Sequence, residues 1–180
     1  MNIVAPVRLF FALWPEPGLQ ASFYAVGQKL YRRCGGSRTR RENIHLTLAF
    51  LGAVEADQMQ CITGVADQIA LPAFDILFNR LGWWHRNQVA WAAADETPRP
   101  LIDLVKQLQL GLSAEGFKFD ERRFQAHVTL LRKANCPQGL IDSPPIVWNA
   151  KDFVLVRSTL HEGGSHYAIV QRWPLQQTAD

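Results

Sequence analysis

The segment ENIHLTLAFLG, Glu42 to Gly52, returns in altered form as FQAHVTLLRKA, Phe124 to Ala134, with a histidine and a threonine two residues apart in each. Five His and seven Thr in 180 residues would by chance give about 0.2 such pairs, the background against which a motif is weighed. The histidines are 127 − 45 = 82 residues apart. Adding 82 to the apolar positions Leu19, Phe23, Val26 and Leu30 gives Leu101, Val105, Leu108 and Leu112. Val7 maps onto Val89 at the same offset, so strand, helix and His-x-Thr strand are expected twice in the same order, without a gap. Self-similarity at a fixed offset marks an internal duplication. It confines the chain to folds made of two equivalent halves.

Alternation along a strand sends successive side chains to opposite faces. His45 and Thr47 then share one face, with Ile44, Leu46, Leu48 and Phe50 on the other; His127 and Thr129 oppose Val128 and Leu130 in the same way. A strand over Val7 to Leu13 opens the chain, and Pro17 starts a helix that ends near Gly35 and Gly36. Val89 to Ala93 reads as a strand and Pro98 precedes the second helix. The connections differ: a helix through Met59, Ile62 and Ile69 follows the first motif, a Pro-rich loop, NCPQGLIDSPPIVW, the second. AFDILFNRLG with QVAWAAA, and DFVLVRSTL with SHYAIVQRW around HEGG, complete the strands as pairs. The expected fold is α+β and bilobal, with two mainly antiparallel sheets and outer helices flanking a central cleft that carries both His-x-Thr motifs. Residues 1–180 form one domain of two intertwined, pseudo-symmetric lobes.

Apolar residues make up 48% of the chain and charged ones 19%, enough to bury a core without staples. Cys34, Cys61 and Cys136 are odd in number, far apart and in no metal-like spacing, which predicts free thiols in a reducing cytosol. The opening MNIVAPVRLFFALWPEPG is broken by Arg8, Pro15, Glu16 and Pro17, so it fits neither a signal peptide nor a membrane span. A cytoplasmic protein without a membrane partner is expected. The net charge of +3 is compatible with a polyanionic partner. Five arginines fall between Arg32 and Arg41 in RRCGGSRTRR, either a solvated loop or a rim that grips phosphate.

Two imidazoles across a cleft suit in-line displacement. One takes a proton from an attacking oxygen while the other delivers a proton to the departing one, and threonine hydroxyls can hold the oxyanion between them. Zinc would want further protein ligands, which neither motif offers nearby, and His85, His161 and His166 sit in loop-like contexts. No Gly-x-Ser-x-Gly elbow and no phosphate-cradling Gly-rich loop is present.

HLTLAFLG and HVTLLR, one in each half, resemble the paired signatures of the 2H phosphoesterase superfamily. The opening RLFFALWP and the flanks resemble its RNA 2',3'-cyclic phosphodiesterase branch, also called the 2'-5' RNA ligase family. The resemblance runs from Arg8 to Trp173. It implies a bilobal α+β fold with His45, Thr47, His127 and Thr129 lining the cleft, and hydrolysis needing no metal and no nucleotide cofactor. It implies opening of a 2',3'-cyclic phosphate at an RNA 3' end to leave a 2'-phosphate, and reversible 2'-5' joining of tRNA halves. In that reaction His127 is expected as general base, His45 as general acid, labels that the pseudo-symmetry makes exchangeable, and Thr47 and Thr129 as phosphate holders. The partners would be RNA with cyclic phosphate ends or small cyclic nucleotides, bound by a monomer. Arg132, at the position of Phe50 in the other half, breaks the duplication and is expected on phosphate, although strict alternation points it at the packed face unless a bulge or the strand end turns it. Phe10 or Phe11 on the first strand, Trp83, Trp84 and Tyr167 are candidates to stack the base, and of these Phe11 and Tyr167 are the ones expected to do so. A relative acting on another small cyclic phosphate, or a silent nucleotide- or RNA-binding module, is the alternative.

Overall fold

The structure, a computed structural model, describes residues 6–119, 124–136, 140–162 and 164–176. The first half runs β1 (Val7–Leu13), α1 (Pro17–Cys34), a two-residue β2 (Ser37–Arg38), β3 (Leu46–Val54) and α2 (Met59–Asp67). Then come β4 (Phe74–Phe78), β5 (Arg80–Trp84), β6 (Val89–Ala93), α3 (Arg99–Ala114) and β7 (Val128–Arg132). β8 (Ile146–Ala150), β9 (Asp152–His161) and β10 (Gly164–Pro174) close the described chain.

Local chemistry sets the helices. Pro17 sits in the first turn of α1, where its missing N–H costs no hydrogen bond. Phe23, Val26 and Leu30 are buried along one stripe, and Gly35 caps the end at φ +61°, its N–H donating to the Tyr31 carbonyl at 2.9 Å. In α3 the buried stripe is Leu101, Leu104, Val105, Leu108 and Leu112. The helices are exchanged between halves: α1 packs on β7, and α3 packs on β3. Both apolar stripes enter one core with Leu9, Phe11, Phe153 and Trp173, where each large side chain stabilises by about 1.5–3 kcal/mol through burial.

The main sheet is antiparallel, in the order β10-β9-β1-β3-β7-β6-β5, with β2 added on β7. The terminal hairpin β9–β10 thus returns to the first-half strands, and β2 reaches across to the second. Within the sheet the two lobes meet at one residue pair, Leu46 opposite Val128. A second, two-stranded sheet pairs β4 with β8. Here the structure differs from the sequence expectation: AFDILFNRLG breaks at Asn79, whose side chain accepts from the Asp95 N–H at 3.0 Å, so only β5 pairs with β6. Its first part pairs with β8, whose IVW lies inside the stretch expected to be a loop. Ile69 lies beyond the end of α2.

The ladders also correct the gapless duplication. Ala12 faces Thr47 and Trp91 faces Thr129, so β1 and β6 correspond at 91 − 12 = 79, while the motif strands correspond at 82. The connection from β6 to α3 takes up the three-residue difference; Val7 and Val89 are not equivalent.

Among the described residues no helix is long and apolar enough to cross a membrane. Cys34 and Cys136 are joined in a disulfide, contrary to the expectation of three free thiols; Cys61 is free. Folding brings the end of α1 beside the segment after β7, with the Asn135 N–H donating to the Cys34 carbonyl at 2.9 Å and the two cysteine Cα atoms 4.5 Å apart. Sequence separation, 102 residues, was no guide to this proximity, and the cysteine argument for a reducing cytosol loses its basis.

Candidate active site

His45 and His127 each stand one residue before their strand begins, β3 at Leu46 and β7 at Val128. The seam between these two strands therefore brings the histidines to one place. His45, Thr47, His127, Thr129 and Arg132 line a single cleft of about 530 Å³, with Arg38, Thr39, Arg40, Trp84 and Tyr167 among its walls.

The same irregularity shapes both motif strands. In β7 the register shifts between Trp91–Thr129 and Ala90–Leu131, leaving Leu130 as an extra, bulged residue. In β3 it shifts between Ala12–Thr47 and Phe11–Ala49, leaving Leu48 bulged. These positions correspond at 82. After a bulge the alternation slips by one, so Leu130 and Leu131 are both buried, as are Leu48 and Ala49. The next residue then returns to the histidine face. That brings Arg132 into the cleft, and it corrects the placement of Phe50 on the packed face: Phe50 is exposed and stacks near Phe10, ring centres 6.4 Å apart, with the Arg8 guanidinium 5.4 Å from its centre.

Both imidazoles are oriented through the backbone just before them. His45 Nδ1 donates to the Asn43 carbonyl at 2.7 Å, and His127 Nδ1 donates to the Gln125 carbonyl at 2.8 Å. Asn43 is itself tied down, its side-chain amide donating to the Ser165 carbonyl at 2.9 Å. With Nδ1 carrying the proton, the Nε2 of each neutral ring keeps its lone pair. The Thr47 hydroxyl donates to that of His45 at 3.1 Å.

Burial lowers the pKa of both histidines, and the nearby Arg132 guanidinium adds to it, while the backbone carbonyls oppose the shift. His45, which also meets the charge of His127, falls to about 4. Aromatic rings pack around both imidazoles. Trp14 lies nearly parallel to His45 at 5.2 Å, Phe10 at 5.0 Å and Tyr167 edge-on at 5.3 Å. Trp84 covers His127 at 4.6 Å. His45 is thus neutral at pH 7. Its folded pKa is below the unfolded value of about 6.5, so between pH 6.5 and 4 the unfolded chain binds more protons and stability falls as pH falls. Urea titrations across this range should show a loss of roughly 2–3 kcal/mol from this residue, and the His45→Gln protein should show a correspondingly shallower dependence.

Of the residues expected to hold a base, Tyr167 reaches the cleft and Phe11 does not. Phe11 is fully buried on the opposite face, against Phe153 and Trp173 at 6.1 and 5.7 Å. Phe10, its neighbour, is the one beneath His45. The bulges in β3 shift the pairing of β1, which hid the choice from the alternation pattern. Trp14, absent from the sequence expectation, directly follows β1, the strand paired with β3. Arg38 and Arg40 of the arginine run reach the cleft, whereas Arg41 donates to the Pro17 carbonyl at 2.7 Å. His85 lies in the β5–β6 turn, and His161 and His166 face each other, ring centres 6.2 Å apart, in the β9–β10 hairpin. Among the described residues, no three His, Cys, Asp or Glu side chains gather as a metal-holding group.

Two stretches, residues 13–91 and 92–167, each match the family described as LigT like Phosphoesterase. Their starts are 79 residues apart, the offset of the β1 and β6 ladders. The RNA 2',3'-cyclic phosphodiesterase of Escherichia coli K12 is 31% identical over 174 residues, covering 96% of this chain and 98% of that protein. The protein of the same name from Thermotoga maritima is 30% identical, covering 91% and 93%. The crystal structure of E. coli LigT complexed with 3'-AMP superposes with a TM-score of 0.86 at 31% identity, over 96% of this chain and 99% of that one. With both halves matched and the duplicated architecture shared, this chain belongs to the LigT-like phosphoesterase family.

Proposed function

We propose that the chain is an RNA 2',3'-cyclic phosphodiesterase, hydrolysing a terminal 2',3'-cyclic phosphate to a 2'-phosphate by general acid–base catalysis. The observation that carries the reading is the opening of both His-x-Thr pairs and Arg132 onto one cleft, in a chain similar to proteins named for that activity. His127 accepts a proton from water at Nε2 as the water oxygen attacks phosphorus. The bond from phosphorus to the 3' oxygen breaks on the opposite side, and His45 delivers a proton to that oxygen. Thr47, Thr129 and Arg132 hold the non-bridging oxygens, where charge builds up in the transition state.

The donor must be charged when it acts, and burial keeps His45 neutral without substrate. An anionic phosphate in the cleft favours the imidazolium, and the parallel face of Trp14 at 5.2 Å stabilises a cation further. A 5'-hydroxyl of a second RNA in the place of water would give a 2'-5' linkage by the same displacement. Tyr167, edge-on to His45, borders the place of the terminal nucleoside. All the residues of the cleft come from one chain, which suits action as a monomer.

Incubation with adenosine 2',3'-cyclic monophosphate in excess chelator tests the reading. The expected product is adenosine 2'-monophosphate alone. Formation of the 3'-monophosphate, or no turnover of the mononucleotide or of RNA ending in a cyclic phosphate, would overturn it.

A further inference from the structure

A second cavity, of about 340 Å³, lies next to the catalytic cleft. Residues Ser37, Arg38, Thr39 and Arg40 line both, so the segment around β2 is their common wall. That wall is fastened to the catalytic strand: Ser37 and Arg38 pair with Arg132 and Leu131, and the Thr39 N–H donates to the Leu130 carbonyl at 2.9 Å. Gly36, at φ +86°, sits so close to β7 that a Cβ there would come within 2.5–2.8 Å of the Arg132 and Lys133 backbone. The far side of the cavity is α1, which presents Tyr24 and Tyr31, seven residues and two turns apart on one face.

Arg38 joins the two spaces. Its guanidinium lies 5.3 Å from the Tyr31 ring centre and 5.6 Å from that of Tyr24. Tyr31 is 43% exposed, so the residue meets solvent beside a cationic group. A π face beside an arginine is what a single-stranded nucleotide needs: the base stacks and the adjoining phosphate meets the charge. Neither tyrosine lines the catalytic cleft.

We propose that Tyr31 and Arg38, with Tyr24 behind them, form a second nucleotide subsite that takes the nucleotide immediately 5' of the one bearing the cyclic phosphate. The inference rests on the reading of the cleft given above. A chain whose terminal cyclic phosphate lies between His45 and His127 leaves the cleft over Arg38 and Arg40, and the first base beyond that wall meets Tyr31. Stacking tolerates every base, so the subsite selects chain length rather than sequence.

The test compares a dinucleotide ending in a 2',3'-cyclic phosphate with the corresponding cyclic mononucleotide, by kcat/KM, for the wild type and two variants. The wild type should prefer the dinucleotide. Tyr31→Ala, at an exposed position on a helix, should lose about tenfold of that preference, the size of one base stack, while mononucleotide turnover stays within about twofold. Tyr31→Phe keeps the ring and should keep the preference. Equal use of both substrates by the wild type, or a preference untouched in Tyr31→Ala, would overturn the subsite and leave the phosphodiesterase reading standing. No turnover of either substrate by the wild type would overturn both.

Discussion

Replacing either histidine by alanine should lower kcat for 2',3'-cyclic nucleotide hydrolysis by about 10³-fold, within the range general acid–base catalysis supplies. KM should change little, because the groups proposed to hold the phosphate remain. The double variant should be hardly slower than the worse single one, since proton removal and proton delivery belong to one displacement. The effect is expected to be chemical rather than structural: both rings line the cleft, and each is held to the backbone two residues before it. A circular dichroism melt of each variant at pH 7 should stay close to that of the wild type. Full activity in either variant would remove that histidine from the chemistry.

Arg132→Ala should lower kcat/KM by about 10- to 100-fold, the worth of a charge-assisted contact to phosphate, with most of the loss in KM. Arg132→Lys should recover only part, because an ammonium lacks the planar fork that meets two phosphate oxygens. A second consequence follows from the electrostatics. Arg132 contributes to the low pKa of both histidines, so its loss should move the ionisations seen in kcat/KM upward. An unchanged KM together with an unchanged pH profile would mean that Arg132 contacts neither the phosphate nor the field of the histidines.

Much of this arrangement was legible because the chain states its motif twice. Repetition raised His45 and His127 from lone histidines to a pair. The equal spacing of Leu19, Phe23, Val26 and Leu30 with Leu101, Val105, Leu108 and Leu112 marks both helices. What stayed hidden turns on long-range pairing. A bulge adds one residue to a strand without a signature in composition, so alternation placed Phe50 and Arg132 on the wrong face and could not choose between Phe10 and Phe11. The pairing of β4 with β8 joins segments about seventy residues apart, and the disulfide joins Cys34 to Cys136 through a turn fixed by β2 lying on β7. Trp14 is one more aromatic residue until β1 is known to lie beside β3, with its end next to the histidine.

In the proposed reaction the two histidines divide the two proton transfers, and a change of leaving group separates them. In a 2',3'-cyclic substrate with sulfur in place of the 3' oxygen, the departing thiolate needs no proton. Single-turnover rates on this substrate and on its oxygen parent, for the wild type, His45→Ala and His127→Ala, separate donor from acceptor. Sulfur should restore most of the lost rate to His45→Ala and none to His127→Ala, whose water still lacks a base. Restoration of neither variant, or of both alike, would contradict the assignment of one histidine to each proton.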